Sequence, residues 1–243
     1  MEHSKETEII RELYNNSEHA WPTDDPWHKE TKLILKQIVE HILLTKCTSD
    51  DTVLNAGCGG TTYDFPGVFY DCDIAENTIS QSAHPIIASI EKLPCENNYF
   101  DISICVGSVL NYCDAGVAIA ELSRTLKPQG LLVLEFERSD SAEFLFTKRH
   151  HQSAFQKDYF YNGQIHRLWL YSEKHIRRTL KAEKLEVIKA YRYHSLSSLL
   201  YRFTGNEGTC AKYIKQDWIV RPLCYHFAHN VILLCKKITA SYI

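Results

Sequence analysis

The stretch from residue 53 to residue 60 reads Val53-Leu54-Asn55-Ala56-Gly57-Cys58-Gly59-Gly60, an apolar strand that runs into three glycines. Glycine has no Cβ atom and tolerates positive φ, so a glycine-rich turn lets the backbone approach a ligand closely. A purely structural turn accounts for one or two glycines but less readily for three within four residues. We therefore interpret this segment as the first strand and the ligand-binding turn of an α/β domain.

The spacing of the glycines distinguishes between possible ligands. A dinucleotide-binding turn has glycine at the sixth position of G-x-G-x-x-G, whereas the sixth position here is Thr62. A P-loop needs G-K-[ST] after its glycines, and this segment lacks it. Both phosphate-binding interpretations are therefore disfavoured, and a different nucleoside cofactor is favoured.

From Asp51 onward, short apolar runs alternate with helical patterns, which is typical of a parallel sheet covered on both faces. We predict an α/β fold with a doubly wound, mostly parallel, seven-stranded sheet and helices on both faces. The predicted strands are Thr52–Asn55, Val68–Cys72, Ile86–Ser89, Asp101–Gly107, Leu131–Glu137, Leu185–Tyr193 and Asn230–Cys235. The predicted helices are Trp27–Leu44, Ala115–Leu126 and Glu173–Glu183.

The chain has 243 residues, of which 44% are hydrophobic, enough for one substantial core. We predict one domain over residues 1–243, with an N-terminal helical cap in 1–44, a cofactor-binding core in 51–137 and a C-terminal half in 138–243. The stretches 139–171 and 194–229 interrupt the alternation and are predicted to be insertions over one edge of the sheet. Pro66 breaks the short connection after the glycines, so the first crossover is predicted to be a loop.

The charge of the chain limits its partners. A formal net charge of −3 provides no excess of positive charge to hold a nucleic acid or an anionic membrane. The first twelve residues lack the apolar core of a signal peptide, and the apolar run Val231–Cys235 has only the length of a strand. We predict a cytoplasmic protein without a nucleic-acid or membrane partner.

The cysteines and histidines show no metal-binding pattern. The nine cysteines contain no C-x-x-C pair, and several lie in apolar runs, where a reduced thiol packs as a small hydrophobic group. The twelve histidines include no spacing such as H-E-x-x-H. We therefore expect free thiols and no metal site.

Asp73 comes directly after the second predicted strand. In a doubly wound sheet, the carboxyl end of that strand faces the same crevice as the glycine turn, and a carboxylate there can accept hydrogen bonds from both ribose hydroxyls. Asp71 lies on the same side of the extended strand as Asp73 but two residues earlier. Two interpretations of Asp71 remain: its side chain lies inside the margin of the sheet, or it is a solvated surface carboxylate. Asp73 is therefore the predicted ribose-binding residue.

Two further motifs follow at compatible spacing. The first runs from Ile90-Glu91-Lys92-Leu93-Pro94 through the strand Ile102–Val106 to Gly107, and the second runs from Glu121 to Leu134. With the glycine turn and Asp73, this order of motifs resembles the class I (Rossmann-like) S-adenosylmethionine-dependent methyltransferases, especially those that methylate small molecules. The resemblance is close from Asp51 to about Glu137 and loose beyond it.

The resemblance implies that S-adenosylmethionine is the methyl donor, that S-adenosylhomocysteine is the product and that a small molecule is the acceptor. The implied cofactor-binding residues are Asn55, Gly57, Cys58 and Gly59 at the first strand and under the methionine part, Asp73 at the ribose, Ile74, Ile90 and Glu91 at the adenine, and Val106 and Gly107 near the sulfonium. The implied reaction is an in-line displacement that needs no covalent enzyme intermediate.

Several residues are candidates for the acceptor side. Asn111 and Tyr112 fall where the family usually meets its acceptor, and His28 lies in the aromatic segment upstream. That segment contains Tyr14, Trp21 and Trp27, and it is predicted either to close as a lid over the cofactor or to pack on the surface. No catalytic residue is identified, and the histidines that could act as a base are His28, His150, His151, His166 and His194.

Two departures from the family pattern leave alternatives open. Asn55 stands where an acid usually closes the first strand, and Ser89 stands where Asp often precedes the adenine pair. Asn55 and the short first crossover support a non-catalytic binding or scaffold protein of the same fold as the alternative function, while Gly57, Gly59 and Asp73 oppose it. A nucleic-acid or protein methyltransferase is less favoured, since Asn111-Tyr112-Cys113-Asp114 lacks the Asn/Asp-Pro-Pro-aromatic motif. A nicotinamide oxidoreductase is disfavoured by the missing third glycine.

Overall fold

The structure is a computed structural model that describes residues 2–16, 25–161, 164–217 and 225–239. Its strands are β1 (Thr52–Ala56), β2 (Val68–Asp73), β3 (Pro85–Ile87), β4 (Phe100–Cys105), β5 (Leu126–Glu137), β6 (Ala154–Tyr161), β7 (Gln164–Tyr171), β8 (Leu185–Tyr193) and β9 (Asn230–Lys237). Seven of them form one sheet in the order β3-β2-β1-β4-β5-β9-β8. The first five strands in this order, from β3 to β5, pair in parallel. Strand β9 runs antiparallel to both of its neighbours, β5 and β8. The predicted doubly wound, mostly parallel sheet is confirmed.

The described helices are α1 (Glu2–Asn15), α2 (Pro26–Lys46), α3 (Ala115–Thr125), α4 (Glu173–Ala182), α5 (Leu196–Thr204) and α6 (Glu207–Ala211). Side-chain caps fix where the three predicted helices begin. Asp25 accepts from the backbone N–H of Trp27 at 2.8 Å, and Asp114 accepts from that of Gly116 at 2.8 Å. Ser172 accepts from His175 at 3.2 Å, so each start satisfies an N–H that the helix itself leaves unpaired.

Neighbouring residues of a strand point to opposite faces of the sheet, and this builds two cores. Val53 of β1 packs with Leu35 and Val39 of α2 on one face. Leu54, the next residue, packs with Ile119 of α3 and Ile176 of α4 on the other. Helices therefore cover both faces, as the near-continuous apolar strands predict.

The connection between β1 and β2 is a loop, as predicted from Pro66. Helix α2 packs on the face of the sheet to which Val53 points, and it holds this loop through two hydrogen bonds. The ammonium of Lys36 donates to the carbonyl of Thr62 at 2.9 Å, and the carboxylate of Glu40 accepts from the N–H of Asp64 at 2.8 Å. An N-terminal helix thus covers a part of the sheet that a crossover helix would otherwise cover.

The two predicted insertions contain regular structure that the sequence interpretation missed. Residues 139–171 contain the antiparallel hairpin β6–β7, and residues 194–229 contain α5 and α6. In β7, His166, Leu168 and Leu170 are buried at alternate positions, which is the period-2 pattern of a half-buried strand. The segment Lys127–Gly130 forms a bulge inside β5, where Gln129 has φ 69°.

The structure addresses the predictions about the cysteines and about membrane-spanning segments for the described residues only. Eight cysteines there are free thiols, and Cys224 lies outside the described residues, as does Trp21. In the described part of the chain, no helix combines the length and the apolar character that crossing a membrane requires.

Candidate functional site

A cavity of about 440 Å³ opens at the carboxyl ends of β1, β2 and β4. This is where the sheet reverses its winding direction, because β1 has β2 on one side and β4 on the other. All ten residues predicted to bind the cofactor line this cavity: Asn55, Gly57, Cys58, Gly59, Asp73, Ile74, Ile90, Glu91, Val106 and Gly107. The fold therefore brings four separate segments of the chain together.

The glycine turn needs glycine for a steric reason as well as a conformational one. Gly57 has φ 67°, and its N–H donates to the carbonyl of Cys72 at 2.7 Å. A Cβ atom at Gly57 would lie 2.4 Å from Cγ1 of Val109, in the segment that follows β4. A side chain at this position would push apart two of the segments that form the cavity.

Asp73 ties two loops of the cavity wall together. Its Oδ2 accepts from the N–H of Gly59 at 2.8 Å, and its Oδ1 accepts from that of Ala75 at 2.9 Å. The carboxyl is buried, and burial raises its pKa above the usual value, although the backbone hydrogen bonds counteract this. Each carboxylate oxygen can accept about two hydrogen bonds, so both have capacity left for a ligand.

Asn55 does structural work that an acid could not do. Its amide donates to the carbonyl of Thr61 at 2.9 Å and to the carboxylate of Asp71 at 2.8 Å. A carboxylate at position 55 would repel Asp71 and would have no proton to donate to Thr61. Asp71 also accepts from Ser82 at 2.7 Å, so its carboxylate is bonded within the protein rather than over the cavity.

Glu135 organises the loop after β4, and the sequence interpretation missed it. Its Oε2 accepts from the N–H of Gly107 at 3.0 Å and from that of Ser108 at 2.7 Å. Its Oε1 accepts from the Tyr193 hydroxyl at 3.0 Å and the Asn230 amide at 2.7 Å. Burial raises the pKa of Glu135, and this set of donors offsets part of the cost of its desolvation. An acid in the middle of the apolar run Leu132–Phe136 was the available signal.

The adenine side predicted from the sequence is mainly apolar. Ile90 is buried and belongs to the core beneath the cavity. Glu91 lines the cavity, and its carboxylate accepts from the N–H of Asp114 at 2.7 Å, which fixes the start of α3. Its own N–H donates to the Ser89 hydroxyl at 3.2 Å, so Ser89 helps to hold the turn.

Four of the five residues predicted for the acceptor side also line the cavity: Tyr14, Trp27, His28 and Tyr112. The hydroxyl of Tyr14 donates to that of Tyr112 at 3.2 Å, which joins α1 to the segment after β4. The ring of Trp27 stacks on His194 with 4.1 Å between the centroids. Aromatic side chains from separate parts of the chain thus form this wall.

Asn111 is the exception, because the sequence predicted it on the acceptor side and the structure places it away from the cavity. Its side chain is completely buried and lies outside the cavity lining. The amide donates to the carbonyls of Glu137 and Trp169 at 3.1 and 2.6 Å and accepts from the N–H of Glu137 at 2.9 Å. Asn111 therefore joins β5 to β7, and its hydrogen-bonding groups are used within the protein.

Of the five histidines considered as bases, His28 is the one that lines the cavity. Its Nδ1 lies 2.5 Å from Oδ2 of Asp25. His194 is completely buried, and desolvation holds its pKa well below the usual value. His151 contacts Asp140 at 2.7 Å, away from this cavity, next to His150.

His229, which the sequence interpretation did not consider, lines the cavity together with Glu137. Its Nε2 lies 3.2 Å from Oε2 of Glu137, whose other oxygen accepts from Ser108 at 2.9 Å. Burial raises the pKa of Glu137, but the hydrogen bonds with His229 and Ser108 and the nearby positive charges together lower it by more. Burial lowers the pKa of His229, but the hydrogen bond with Glu137 and the charges of Glu137 and Glu143 together raise it by more. The pair is therefore stable as carboxylate and imidazolium.

Two other kinds of chemistry find little support in the described residues. Burial raises the pKa of the Cys58 thiol to about 12, so the thiol stays protonated and is a poor nucleophile. Within the described ranges, no group of three or more His, Cys, Asp or Glu residues is arranged to hold a metal ion.

Comparison with known proteins agrees with this geometry. Residues 54–134 match the family described as Methyltransferase domain. An uncharacterized protein of Methanocaldococcus jannaschii is 28% identical over 138 residues, which are 54% of this chain and 53% of that protein. The chain thus matches about half the length of this curated relative.

Solved structures show the same fold at low identity. The cyclase SpnF has a TM-score of 0.61 and 16% identity, with 96% of this chain and 97% of SpnF covered. A 1,6-didemethyltoxoflavin N1-methyltransferase of Burkholderia thailandensis, crystallised with S-adenosylhomocysteine, has a TM-score of 0.59 and 14% identity, with 98% and 90% covered. The resemblance found in the sequence is thus supported by a methyltransferase-domain match over residues 54–134, and the solved structures show the fold.

Proposed function

We propose that this chain, which contains a methyltransferase domain over residues 54–134, binds S-adenosylmethionine in the cavity and transfers the methyl group directly to a small molecule. The observation that carries the proposal is the convergence of ten residues from four separate segments on one cavity of about 440 Å³. A cytoplasmic location and the absence of nucleic-acid and membrane partners remain predictions from the sequence.

The residues present fit this cofactor. Gly57 and Gly59 provide backbone without Cβ atoms for the methionine part, and Asp73 has unused acceptor capacity for the ribose hydroxyls. Ile74 and Ile90 provide apolar walls for the adenine. The cofactor supplies an already activated methyl group, so the chain has to orient the acceptor and exclude water rather than activate the donor.

The remaining wall of the cavity suits a small acceptor. Helix α1 contributes Thr7, Ile10 and Tyr14 to it, and Tyr14 is bonded to Tyr112 on the opposite side. We infer that α1 is a lid, because it covers the cavity from outside the sheet and is tied to the wall by polar side chains. A lid of this kind excludes water and holds the acceptor in position.

A non-catalytic binding protein of the same fold is the second candidate. The observation that favours it is Asn55, which brings no negative charge to the site of a cationic cofactor. The hydrogen bonds of Asn55 to Thr61 and Asp71 explain structurally why asparagine stands at this position. Methyl transfer is therefore the better supported function.

The test begins with calorimetric titration of S-adenosylmethionine and S-adenosylhomocysteine. We expect the wild-type protein to bind both, and Asp73→Ala to bind them about 30-fold more weakly, since hydrogen bonds to a charged group contribute roughly 1.5–3 kcal/mol each and are not additive. Methyl transfer is then measured as S-adenosylhomocysteine formed from S-adenosylmethionine in the presence of panels of amines, alcohols and carbon acids.

Asp50→Asn is the control, because it changes an exposed acid in the turn before β1 that does not line the cavity. It should leave the affinity within about threefold of wild type if the loss is specific to Asp73. Absence of binding by the wild-type protein would overturn the proposal. Binding of the cofactor without product formation from any acceptor panel would favour the non-catalytic candidate.

A further inference from the structure

The part of the cavity that is formed by the C-terminal half of the chain has a distinct chemical character. Its walls come from β6, α5 and α6, through Lys157, Tyr159, Tyr201 and Glu207, and we call these four residues the Glu207 end. Helix α6 packs against both α2 and α5, so this end lies beside the wall that contains Trp27 and His28. None of the four was singled out from the sequence.

Most charges around the Glu207 end are already paired within the protein. The Lys157 ammonium is bonded to Glu143 and lies 4.0 Å from the centre of the Tyr159 ring. Glu137 is paired with His229. These two carboxylates and two cations cancel, so they leave no net charge for a ligand to complement.

Glu207 is different, because its carboxylate has no hydrogen-bond or ion-pair partner among the described residues. The hydroxyl of Tyr159 is buried and also lacks a hydrogen-bond partner in that part of the chain. Glu207 is half-buried and lines the cavity, and burial raises the pKa of both groups. A carboxylate and a hydroxyl that have no hydrogen-bond partner among the described residues thus belong to two side chains that line this end of the cavity.

The missing partner can be described by its chemistry. An anionic ligand would be repelled by the carboxylate of Glu207, and an apolar one would leave both polar groups without hydrogen bonds. An ammonium group offers several N–H donors and a positive charge, and the rings of Tyr159 and Tyr201 offer faces that attract a cation. Lys157 already shows that these rings accept an ammonium, at 4.0 and 5.9 Å.

We propose that the acceptor carries a protonated amine, and that Glu207 with the Tyr159 hydroxyl forms the subsite that binds it. The inference rests on the proposed function, because the same cavity must hold the methyl donor on its glycine side. It deepens that function by naming the substrate class, and it leaves the methylated atom open.

The test measures binding to protein that is saturated with S-adenosylhomocysteine. The probes are ethylamine, phenethylamine and tyramine, each compared with the alcohol and the carboxylate of the same carbon skeleton, at pH 7. We expect at least one amine to bind about tenfold more tightly than its alcohol and the carboxylates not to bind. No preference for any amine over its alcohol would overturn the proposal.

Substitutions test whether Glu207 and Tyr159 are the residues that bind the amine. Glu207→Gln should reduce affinity for the preferred amine about tenfold and leave the affinity for its alcohol unchanged, while Tyr159→Phe should reduce it about threefold. Glu186→Gln, which removes an exposed acid from β8, is the control and should bind as wild type does. If Glu207→Gln fails to fold, Tyr159→Phe carries the test. If folded Glu207→Gln or Tyr159→Phe protein kept the wild-type preference for the amine over its alcohol, the proposed subsite would be contradicted.

The same samples separate this inference from the proposed function. Each variant is first titrated with S-adenosylhomocysteine, and all are expected to bind it as wild type does. Failure of the wild-type protein at this step overturns the proposed function itself. Normal binding of S-adenosylhomocysteine without preference for an amine overturns only the subsite.

Discussion

The two sides of the cavity are built in different ways. The glycine side consists largely of backbone at the ends of neighbouring strands, held by Asp73 and Glu135 through bonds to amide N–H groups. The opposite side consists of side chains from elements far apart in the sequence, such as Tyr14 in α1 and Glu207 in α6. The first side is therefore fixed by the topology of the sheet, whereas the second can change residue by residue without disturbing the sheet.

The largest effect is expected on the glycine side. Gly57→Ala places a Cβ atom 2.4 Å from Val109, at a residue with φ 67°. The left-handed conformation alone costs an alanine about 1–2 kcal/mol, and movement of Val109 distorts the wall of the cavity. We expect the affinity for S-adenosylhomocysteine, measured by calorimetry, to fall about 100-fold or more.

Gly205→Ala is a matched control for this prediction. Gly205 has φ 61°, but a Cβ atom there would have no neighbour within 4 Å. The control should lose stability to backbone strain while it keeps its affinity, and Val109→Ala should partly restore binding in the Gly57→Ala protein. Wild-type affinity in Gly57→Ala would show that the close contact with Val109 is not needed for the site.

This asymmetry explains what the sequence could and could not predict. The seven strands of the sheet and the ten cofactor-side residues follow from local patterns, because the carboxyl ends of parallel strands meet at one edge. Their binding roles stay predictions. On the other side, Asn111 was placed at the acceptor but is buried, and His229 and Glu207 were missed. Their positions depend on how the hairpin β6–β7 and the short helices α5 and α6 pack, and no spacing rule relates these elements to the sheet.

A smaller effect is expected from removing the lid. Deletion of residues 1–16 removes α1, including the bond between Tyr14 and Tyr112. If α1 gates the cavity, association and dissociation of S-adenosylhomocysteine should both become about tenfold faster, with the equilibrium affinity changed by no more than about threefold. Stopped-flow mixing measures both rates.

Tyr14→Phe sharpens this result, since it removes one hydroxyl and keeps the helix. It should raise the two rates by no more than about threefold, because one neutral hydrogen bond contributes roughly 1 kcal/mol or less. Unchanged rates in the deletion, together with a lower melting temperature, would mean that α1 only packs against the outside of the cavity. That outcome would return Tyr14 to a structural role.

The smallest effect concerns His166, which lies behind the acceptor wall. Its Nδ1 is 3.0 Å from the Tyr112 hydroxyl, and its side chain is buried in β7. Desolvation, with a contribution from the charge of His28, lowers the pKa of His166 from 6.5 to about 4. Folding therefore requires this imidazole to be neutral, whereas the unfolded chain takes up its proton as the pH falls below 6.5.

The stability that His166 contributes is thus fully present above pH 6.5 and is lost progressively as the pH falls towards 4. Between pH 7 and pH 5.5 we expect the free energy of unfolding of the wild-type protein to fall by about 1 kcal/mol more than that of His166→Gln, since one pKa unit corresponds to about 1.4 kcal/mol. Urea unfolding at both pH values measures the difference. His41→Gln, which changes an exposed histidine of α2, should follow the wild-type curve. Parallel curves for wild type and His166→Gln would mean that His166 titrates alike in both states, and the wall between Tyr112 and β7 would then be open to water.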